Sequence, residues 1–571
     1  MKVRNILICS LLFVLLLGTI GWAQPAALNM ASDNSIPPGL EDRIPPGLQF
    51  ADTIIINGQI LTMDEENPTA EAIAIGRDGR ILAAGSMVSM MKHTRPWTKV
   101  IDAEGSVVSP GFIDIHSHFE RILNREEFLV AENYLRQGVT TVLSGNCGSA
   151  PFPLSEHLPE VESRGTAINY ATLLGQATMM RQVMEDPTAP PTDEEMEDKK
   201  ALVAQEMKAG AWGISTGLEY YPGLASTTEE VAALSEVAGE YGGIYASHIR
   251  SEAEKLVESI EEAIEIGQLA NIPVQISHIK SEGYINWPKT DIVIQLIEEA
   301  RARGEDVTAD VYPYTAFSTS TAVMIPAWAY ETYNGYEGMD AVLARLEDEE
   351  KRALIKEFIV NRFIYDFPPD AFIIRAFAPQ PEYEGKSIAE ILEMLDRPVT
   401  DDEAAELLIE IIQERGAGII VHAMSEENVR EYMQQPWAFI GSDGGPQLLD
   451  VGRPHPRNYG SFPRVLGKYV REEGVLSLEQ ALQKMTSLPA EKIGFSERGS
   501  IKPGYWADVV IFNPDEVVDH ATFIEPHQYP SGIEYVFVNG MPVLWEGEFI
   551  AHEFEAEDRP GMVLYGPGYE R

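Results

Sequence analysis

The chain has 571 residues, long enough for two or three domains with a large apolar core. Its hydrophobic content of 44% and charged content of 23% are those of a soluble globular protein. The formal net charge of −46 argues against nucleic acid or an anionic membrane surface as a partner. Any anionic substrate must be held by nearby basic side chains, because charges further away than about 10 Å are screened.

The first 23 residues have the features of a secretory signal peptide. Two basic residues precede a nearly unbroken apolar run over residues 6–17, and Gly21-Trp-Ala23 offers small residues for cleavage. We therefore predict export to the periplasm or out of the cell, with an uncleaved membrane anchor as the alternative. Residues 24–50 are proline-rich and contain Ile-Pro-Pro-Gly-Leu twice, which predicts an extended linker.

Cysteine usage points to a metal. The chain has two cysteines, Cys9 within the predicted signal peptide and Cys147. Cleavage would leave Cys147 without an intramolecular disulfide partner. A role as metal ligand would explain a free thiol in an exported protein.

Short strands are predicted near both ends of the chain. They are Thr53–Asn57, Ile60–Met63, Ala72–Ile75 and Ile81–Ala84 in residues 51–109, and Ala507–Phe512, Tyr535–Val538 and Val543–Trp545 in residues 495–560. Asp78-Gly79 predicts a two-residue hairpin turn. Because a sheet of only a few strands is marginally stable, we predict that both sets join in one small β-sandwich domain.

Apolar strands alternate with amphipathic helices over residues 110–494, which predicts a parallel α/β fold. Further predicted strands are Thr140–Ser144, Ala211–Ser215, Ile244–Ser247, Val274–Ser277, Val307–Asp310, Gly418–Val421 and Ala438–Ile440, with helices at Thr228–Tyr241, Ala253–Ala270 and Thr290–Arg303. At least eight strands favour a TIM-like (β/α)8 barrel over a doubly wound sheet. The segment from about 318 to 416 is too long for one loop and predicts an insertion over the barrel mouth.

The first barrel strand ends in two histidines. The apolar residues Phe112 to Ile115 follow Pro110-Gly111, which is typical of a buried strand entered from a turn. Since successive side chains on a strand point to opposite faces, His116 and His118 point the same way. Two adjacent imidazoles at the carboxyl end of a strand can form part of a metal site.

Other predicted strands also end in metal-binding residue types. Cys147 follows residues 140–144, His248 and His278 each end a strand in the form Ser-His, and Asp443 follows residues 438–440. The carboxyl ends of barrel strands meet on one face, which carries the chemistry of such folds. Taken singly, Asp443 could be a turn residue and Cys147 a buried apolar one. Together the set exceeds the needs of one tetrahedral ion, and thiolate beside imidazole favours zinc over calcium or magnesium.

Several motifs resemble those of the amidohydrolase superfamily, and within it the D-aminoacylase family of N-acyl-D-amino-acid deacylases. The matching pieces are Pro110–His118, Gly145-Asn-Cys-Gly148, Gly213–Gly223, the two Ser-His strand ends, Ser277-His-Ile-Lys280, Asp310-Val-Tyr-Pro-Tyr314, Ser442-Asp-Gly444, His455–Gly460 and Arg498–Asp508. The resemblance covers roughly residues 52–545 and implies the same barrel and small β domain.

The resemblance also implies a ligand arrangement. Cys147, His248 and His278 would hold a tight zinc ion, and the remaining set, His116, His118 and Asp443, would form a second, weaker site. Many amidohydrolases bridge two metals with a carboxylated lysine after the fourth strand, but the matching residues 213–220 contain no lysine. That difference fits the cysteine-containing branch. A preference for D substrates rests on the resemblance alone.

We predict zinc-dependent hydrolysis of N-acyl-D-amino acids to a carboxylate and a free D-amino acid. Asp443 is the predicted general base and acid, which takes a proton from the attacking water and passes it to the leaving amine. The predicted substrate-binding residues are Lys280, Tyr312 and Arg457. Lys280 and Tyr312 match family positions, whereas a structural ion pair is the alternative for Arg457. The predicted partner is thus a small molecule, and the oligomeric state is left open.

Two other functions are compatible with the same pattern. A hydrolase of cyclic amides, such as a hydantoinase or dihydropyrimidinase, would share the barrel, but the missing lysine and the presence of Cys147 count against it. An exported binding protein with an inactive site is the other alternative, and the complete set of ligand residues counts against it. Metal analysis and an assay of both reactions would separate the three.

Overall fold

The computed structural model describes residues 49–570 of the chain. The predicted signal peptide (1–23) and nearly all of the predicted linker (24–50) lie outside the described residues, so both stay predictions. Among residues 49–570 there is no helix with the length and apolar character that a bilayer span requires.

Strands from both ends of the chain form one nine-stranded sheet, as predicted. In spatial order they are Glu548–Phe549, Met541–Trp545, Ile533–Val538, Val509–Phe512, Val107–Pro110, Ala51–Leu61, Thr69–Gly76 and Ile81–Gly85, and Lys99–Asp102 also pairs with Ala51–Leu61. The junction between the two halves is the antiparallel pair of Val107–Pro110 with Val509–Phe512. Buried aliphatic and aromatic side chains from both halves, such as Ile55, Ile73 and Phe537, form its core.

A glycine turn joins Thr69–Gly76 to Ile81–Gly85, at the predicted Asp78-Gly79 hairpin. Gly79 has a φ of +77°, and a Cβ there would lie 2.2 Å from the carbonyl oxygen of Asn539. Only glycine satisfies both the left-handed backbone and this close approach to the C-terminal strands. The turn therefore also helps the two ends of the chain to pack together.

Eight parallel strands form the predicted barrel. We number them barrel strands 1 to 8: Phe112–Asp114, Val139–Ser144, Asn169–Thr172 continued by Leu174–Gly175, Gly213–Gly217, Ile244–His248, Val274–Ile276, Val307–Val311 and Ala438–Ile440. Barrel strand 3 pairs with strand 2 through its first part and with strand 4 through its second. A parallel bridge between Ser117 and Gly444 closes the barrel between strands 1 and 8.

Helices cover the outside of the barrel and alternate with its strands. The helices outside the inserted segment are Met87–Met90, Glu126–Val130, Glu132–Leu135, Leu154–Arg164, Gln176–Val183, Asp193–Ala209, Thr228–Glu240, Leu256–Ala270, Thr290–Ala302, Glu426–Gln434, Arg457–Arg464, Val465–Glu472 (a π-helix), Leu478–Met485 and Ser487–Ile493. Local sequence fixes their starts. Thr192, for example, accepts a hydrogen bond from the backbone of Glu195, whose carboxylate bonds back to Thr192 in a capping box.

The insertion between barrel strands 7 and 8 has its own sheet and core. Its strands are Ala316–Ser320, Phe372–Ala376 and Gly418–His422, and its helices are Gly338–Leu346, Glu349–Tyr365, Ile388–Met394 and Asp401–Gln413. Assignment of Gly418–Val421 to the barrel is therefore wrong, because this strand pairs antiparallel with the other two. Its apolar run fits either setting, and the insertion extends beyond residue 416. Arg362 of the insertion forms an ion pair with Glu282, which follows barrel strand 6 (2.8 Å), and a second ion pair with Asp366 within the insertion (3.1 Å).

A buried polar network joins the small β domain to the barrel. Asp508 forms an ion pair with Arg498, and both residues are about 5% exposed. Asp508 also accepts hydrogen bonds from Asn169, at the start of barrel strand 3, and from the backbone of Asn539. The carboxylate thus connects three segments that are far apart in the sequence.

We expect Asp508→Asn to lower the free energy of unfolding by about 3–5 kcal/mol, because Arg498 would be left as a buried cation without a counter-charge. Urea denaturation followed by circular dichroism would measure the change. Asp515→Asn, at an exposed position nearby in the sequence, is the matched control. Equal stability of the two variants would contradict the role given to the ion pair.

Candidate metal centre

The six predicted metal ligands meet at the carboxyl ends of the barrel strands. His116 and His118 follow barrel strand 1, Cys147 follows strand 2, His248 ends strand 5, His278 follows strand 6 and Asp443 follows strand 8. Their donor atoms form overlapping groups within 4.8 Å of one another, namely His116-His118-Cys147, Cys147-His248-His278 and His116-His278-Asp443. Residues up to 327 positions apart in the chain (443 − 116) are therefore neighbours.

Cys147 lies between the two predicted sites. Its Sγ is 3.4 Å from Nε2 of His278 and 3.4 Å from Nε2 of His116. His248 Nδ1 in turn lies 2.8 Å from His278 Nε2. The thiol can therefore serve both groups of candidate ligands.

Asp443 joins the second group. Its Oδ1 is 3.0 Å from Nε2 of His118 and 3.5 Å from Nε2 of His116, and its Oδ2 is 2.8 Å from Nη1 of Arg457. Arg457 thus forms an ion pair, and its partner in that pair is Asp443, the candidate base. The ion pair is therefore part of the site, and substrate binding by Arg457 stays a prediction.

Each of the four histidines has a carboxylate at its other ring nitrogen. The pairs are His116 Nδ1 with Asp310 (3.0 Å), His118 Nδ1 with Glu120 (3.1 Å), His248 Nε2 with Glu219 (3.0 Å) and His278 Nδ1 with Glu252 (2.9 Å). Such partners fix the tautomer and orientation of a ligand imidazole and raise its basicity. These four carboxylates were not predicted from the sequence, although each lies within six residues of a barrel-strand end.

Three of the candidate ligands have left-handed backbone conformations, which set the directions of their side chains. Cys147, His278 and Asp443 have φ values of 53°, 36° and 52°, in the left-handed region that non-glycine residues rarely adopt. Such conformations cost about 1–3 kcal/mol each and cluster at functional sites. The loop with Cys147 also lies directly on barrel strand 4, since a Cβ at Gly217 would be 2.4 Å from the Cys147 carbonyl oxygen.

The electrostatics of the site favour a thiolate and a carboxylate. Burial by itself raises the pKa of the Cys147 thiol, but His278 and His116 lower that pKa well below its usual value. Burial opposes protonation of His116 and His248, yet nearby carboxylates and the thiolate raise the pKa of each to about 10. Burial also raises the pKa of Asp443, and the neighbouring Arg457 and histidines outweigh it and hold that pKa well below the usual range.

This donor set fits zinc. Imidazole nitrogens and a thiolate converge here, and the carboxylate of Asp443 completes the second group. Zinc prefers these ligand types, and a bound cation would replace the protons that the crowded imidazoles hold. Cys147, His248 and His278 are the residues that would hold one ion.

The centre lies at the bottom of an open cavity of about 420 Å³, within the size range of small-molecule sites. Arg457 lines the cavity. Tyr312 is buried, and its hydroxyl has no hydrogen-bond partner among residues 49–570. Lys280 is also buried, and its Nζ donates to Glu252 at 2.6 Å and lies 2.8 Å from His278 Nδ1. All three stay predicted substrate-binding residues, with Lys280 placed behind a ligand.

Comparison with known proteins identifies the family. Two models described as "Amidohydrolase family" match residues 107–272 and 390–544. D-aminoacylase from Alcaligenes xylosoxydans xylosoxydans is 34% identical over 523 residues, which cover 87% of this chain and 95% of that protein. The chain belongs to the D-aminoacylase family of amidohydrolases. This chain is also 34% identical to N-acyl-D-glutamate deacylase of the same organism, over 86% of this chain and 91% of that protein.

Solved structures agree with this family assignment. The structure of this chain matches that of N-acyl-D-glutamate deacylase from Bordetella bronchiseptica, which was crystallised with zinc and a phosphonate inhibitor. The TM-score is 0.75 and the sequence identity is 32%. The match covers 91% of this chain and all of that one. L-hydantoinase from Arthrobacter aurescens, at 17% identity and a TM-score of 0.54, shares the fold. The expected barrel with a small β domain is thus confirmed.

We expect Cys147→Ala to lose zinc, because it removes the only sulfur that contacts both groups of histidines within residues 49–570. Inductively coupled plasma mass spectrometry of the purified variant would measure the metal content. His422→Ala, whose imidazole packs on Phe523, is the control and should keep its zinc. An unchanged metal content in the cysteine variant would refute the assignment.

Zinc affinity should rise as the pH rises towards 10. His116 and His248 have pKa values of about 10 in the metal-free protein, so both are protonated at neutral pH and must lose a proton to bind zinc. We expect roughly a tenfold gain in affinity per pH unit for each proton released. Competition with a chromophoric chelator between pH 6 and 9 would show this dependence, and a constant affinity would contradict it.

Proposed function

We propose that this protein hydrolyses the amide bond of N-acyl-D-amino acids, giving a carboxylate and a free D-amino acid. The observation that carries the proposal is the meeting of Cys147, four histidines and Asp443 at the base of an open cavity, in a chain 34% identical to a D-aminoacylase. N-acyl-D-glutamate and N-acyl-D-aspartate deacylases at the same identity also support linear N-acyl amino acids as the substrate class.

Zinc is the proposed cofactor, held tightly by Cys147, His248 and His278 and more weakly by His116, His118 and Asp443. When bound, it supplies a Lewis acid that polarises a carbonyl group and lowers the pKa of water. Cys147 Sγ lies 3.4 Å from a histidine of each group, which supports two neighbouring positions that these residues would offer to zinc.

Asp443 is the proposed proton carrier. Its carboxylate takes a proton from the water that attacks the acyl carbon, and passes that proton to the amide nitrogen as the carbon–nitrogen bond breaks. Contacts with Arg457 and His118 keep it ionised and fix its orientation. The low pKa of this carboxyl supports its starting state as a base.

The α-carboxylate of the substrate is proposed to bind near Arg457 and Tyr312. The guanidinium of Arg457 already lies beside Asp443, so a carboxylate held there would place the adjacent nitrogen within reach of the base. The unpartnered hydroxyl of Tyr312 can donate to the same anion. Lys280 is also proposed to bind the substrate, and its ammonium contacts Glu252 and His278.

Export to the periplasm or the medium remains part of the proposal, on the N-terminal sequence alone. Retention of residues 1–23 in the protein purified from a cell membrane would contradict it.

Asp443→Asn should reduce kcat at least a hundredfold and keep the tight zinc, because the amide cannot accept the proton of the attacking water. The measurements are zinc content and release of free amine from N-acetyl-D-methionine. Asp450→Asn, at an exposed position in the loop that follows, is the matched control. Retained turnover in Asp443→Asn would remove this residue from the mechanism.

A substrate panel tests the proposed function itself. Both enantiomers of several N-acetyl amino acids and a hydantoin would be assayed with and without a chelator. We expect chelator-sensitive cleavage of the linear D substrates. Ring opening without linear cleavage would instead support a cyclic amidase, and no hydrolysis with no bound zinc would support a binding protein.

A further inference from the structure

The cavity contains two arginines that the proposed chemistry does not use. Arg181 and Arg121 both line it. Arg181 belongs to the helix Gln176–Val183 after barrel strand 3, and Arg121 follows barrel strand 1. Both are exposed to the cavity mouth.

Neither guanidinium has an acidic partner among the described residues. The hydrogen bonds of Arg181 go to the carbonyl oxygens of Ala177 (3.2 Å) and Tyr221 (3.0 Å), which leaves several of its five N–H donors free. The Arg121 guanidinium has no ion pair or hydrogen bond within residues 49–570. In a chain with 89 acidic and 43 basic residues, two unpaired cations at one cavity are unexpected unless the ligand is an anion.

The carboxylates of the cavity do not fulfil this role. Glu120 and Asp443 line it, and both contact the site histidines. Each is therefore already committed to the metal centre, and the positive charge of Arg181 is available to a ligand.

Topology decides which end of a substrate would reach Arg181. Asp443 must lie beside the leaving nitrogen, so the amino-acid half of the substrate lies towards Arg457 and Tyr312, near barrel strands 7 and 8. The acyl half must then extend from the metal centre towards strands 2 to 4, which lie opposite. Small residues, Ser149, Ala150 and Ala177, line the cavity on that side and leave room for a chain.

We propose that this side is an acyl subsite, in which Arg181 binds a carboxylate at the far end of the acyl group, with Arg121 adding positive charge at the mouth. The preferred substrates would be N-acyl-D-amino acids whose acyl group is dicarboxylic, such as succinyl. This inference rests on the proposed function and adds the acyl preference to it. A bidentate guanidinium–carboxylate pair supplies both the affinity and the orientation.

The test compares substrates that differ only in the acyl group. The zinc-loaded full-length protein would be assayed with N-succinyl-D-methionine and N-acetyl-D-methionine, and we expect a higher kcat/KM for the succinyl compound. Arg181→Gln should raise KM for N-succinyl-D-methionine roughly tenfold to a hundredfold and leave N-acetyl-D-methionine within about twofold. Arg181→Lys should recover part of the loss, because it keeps the charge.

Controls separate this inference from a structural role and from the proposed function. Arg303→Gln, an exposed arginine paired with Glu305, should change neither substrate. Zinc content and melting temperature of Arg181→Gln should equal those of the unmodified protein. Equal losses on both substrates would overturn the acyl subsite, since Arg181 would then act by holding Tyr221.

Two further outcomes are decisive. If Arg181→Gln slows cleavage of N-acetyl-D-glutamate and leaves cleavage of N-succinyl-D-methionine unchanged, Arg181 binds the amino-acid side chain and the acyl assignment is wrong. If the protein cleaves N-acetyl-D-methionine but prefers it to the succinyl compound, the acyl subsite fails while the proposed function stands. Cleavage of neither would overturn the proposed function itself.

Discussion

The catalytic centre depends on the meeting of one thiolate with imidazoles from opposite sides of a barrel. Cys147 Sγ lies 3.4 Å from both His116 and His278, so it belongs to both groups of ligands at once. Burial disfavours the thiolate, and the surrounding histidines favour it more strongly. This balance favours an ionised cysteine, and it ties the two groups of candidate ligands to the position of one loop.

The residues around the candidate ligands fix their orientation. Four carboxylates lie 2.9–3.1 Å from the outer nitrogens of the four histidines, and three of the candidate ligands have left-handed backbone conformations. Such strain persists only where the surrounding structure over-determines it. Here the barrel supplies that rigidity through strands whose residues are buried on both faces, as in Val139–Ser144 and Gly213–Gly217.

Charge is distributed unevenly around the site. The protein as a whole is strongly acidic, but the cavity walls contain Arg121, Arg181 and Arg457. Of these three, only Arg457 has an acidic partner among residues 49–570, and that partner is the candidate base. The acidic surface would repel anions in general, whereas the cations of the cavity would attract an anionic substrate at short range. Selection of an anionic substrate would thus depend on the electrostatic attraction of these few arginines, which acts at short range.

The sequence by itself determined the strand–helix alternation, the pairing of the two chain ends and the choice of six candidate ligand residues, whose binding of metal stays a prediction. These follow from local patterns, because apolar periodicity marks a strand and the side chain that ends a barrel strand must point to the common face. Tertiary structure alone decided that Cys147 lies between both groups and that Arg457 contacts Asp443. It also decided that Gly418–His422 belongs to the insertion, since an apolar run has no preference between a parallel and an antiparallel partner. The carboxylates behind the histidines, such as Glu252, were invisible for the same reason: an acidic residue after a strand resembles any solvated loop residue until the fold brings an imidazole against it.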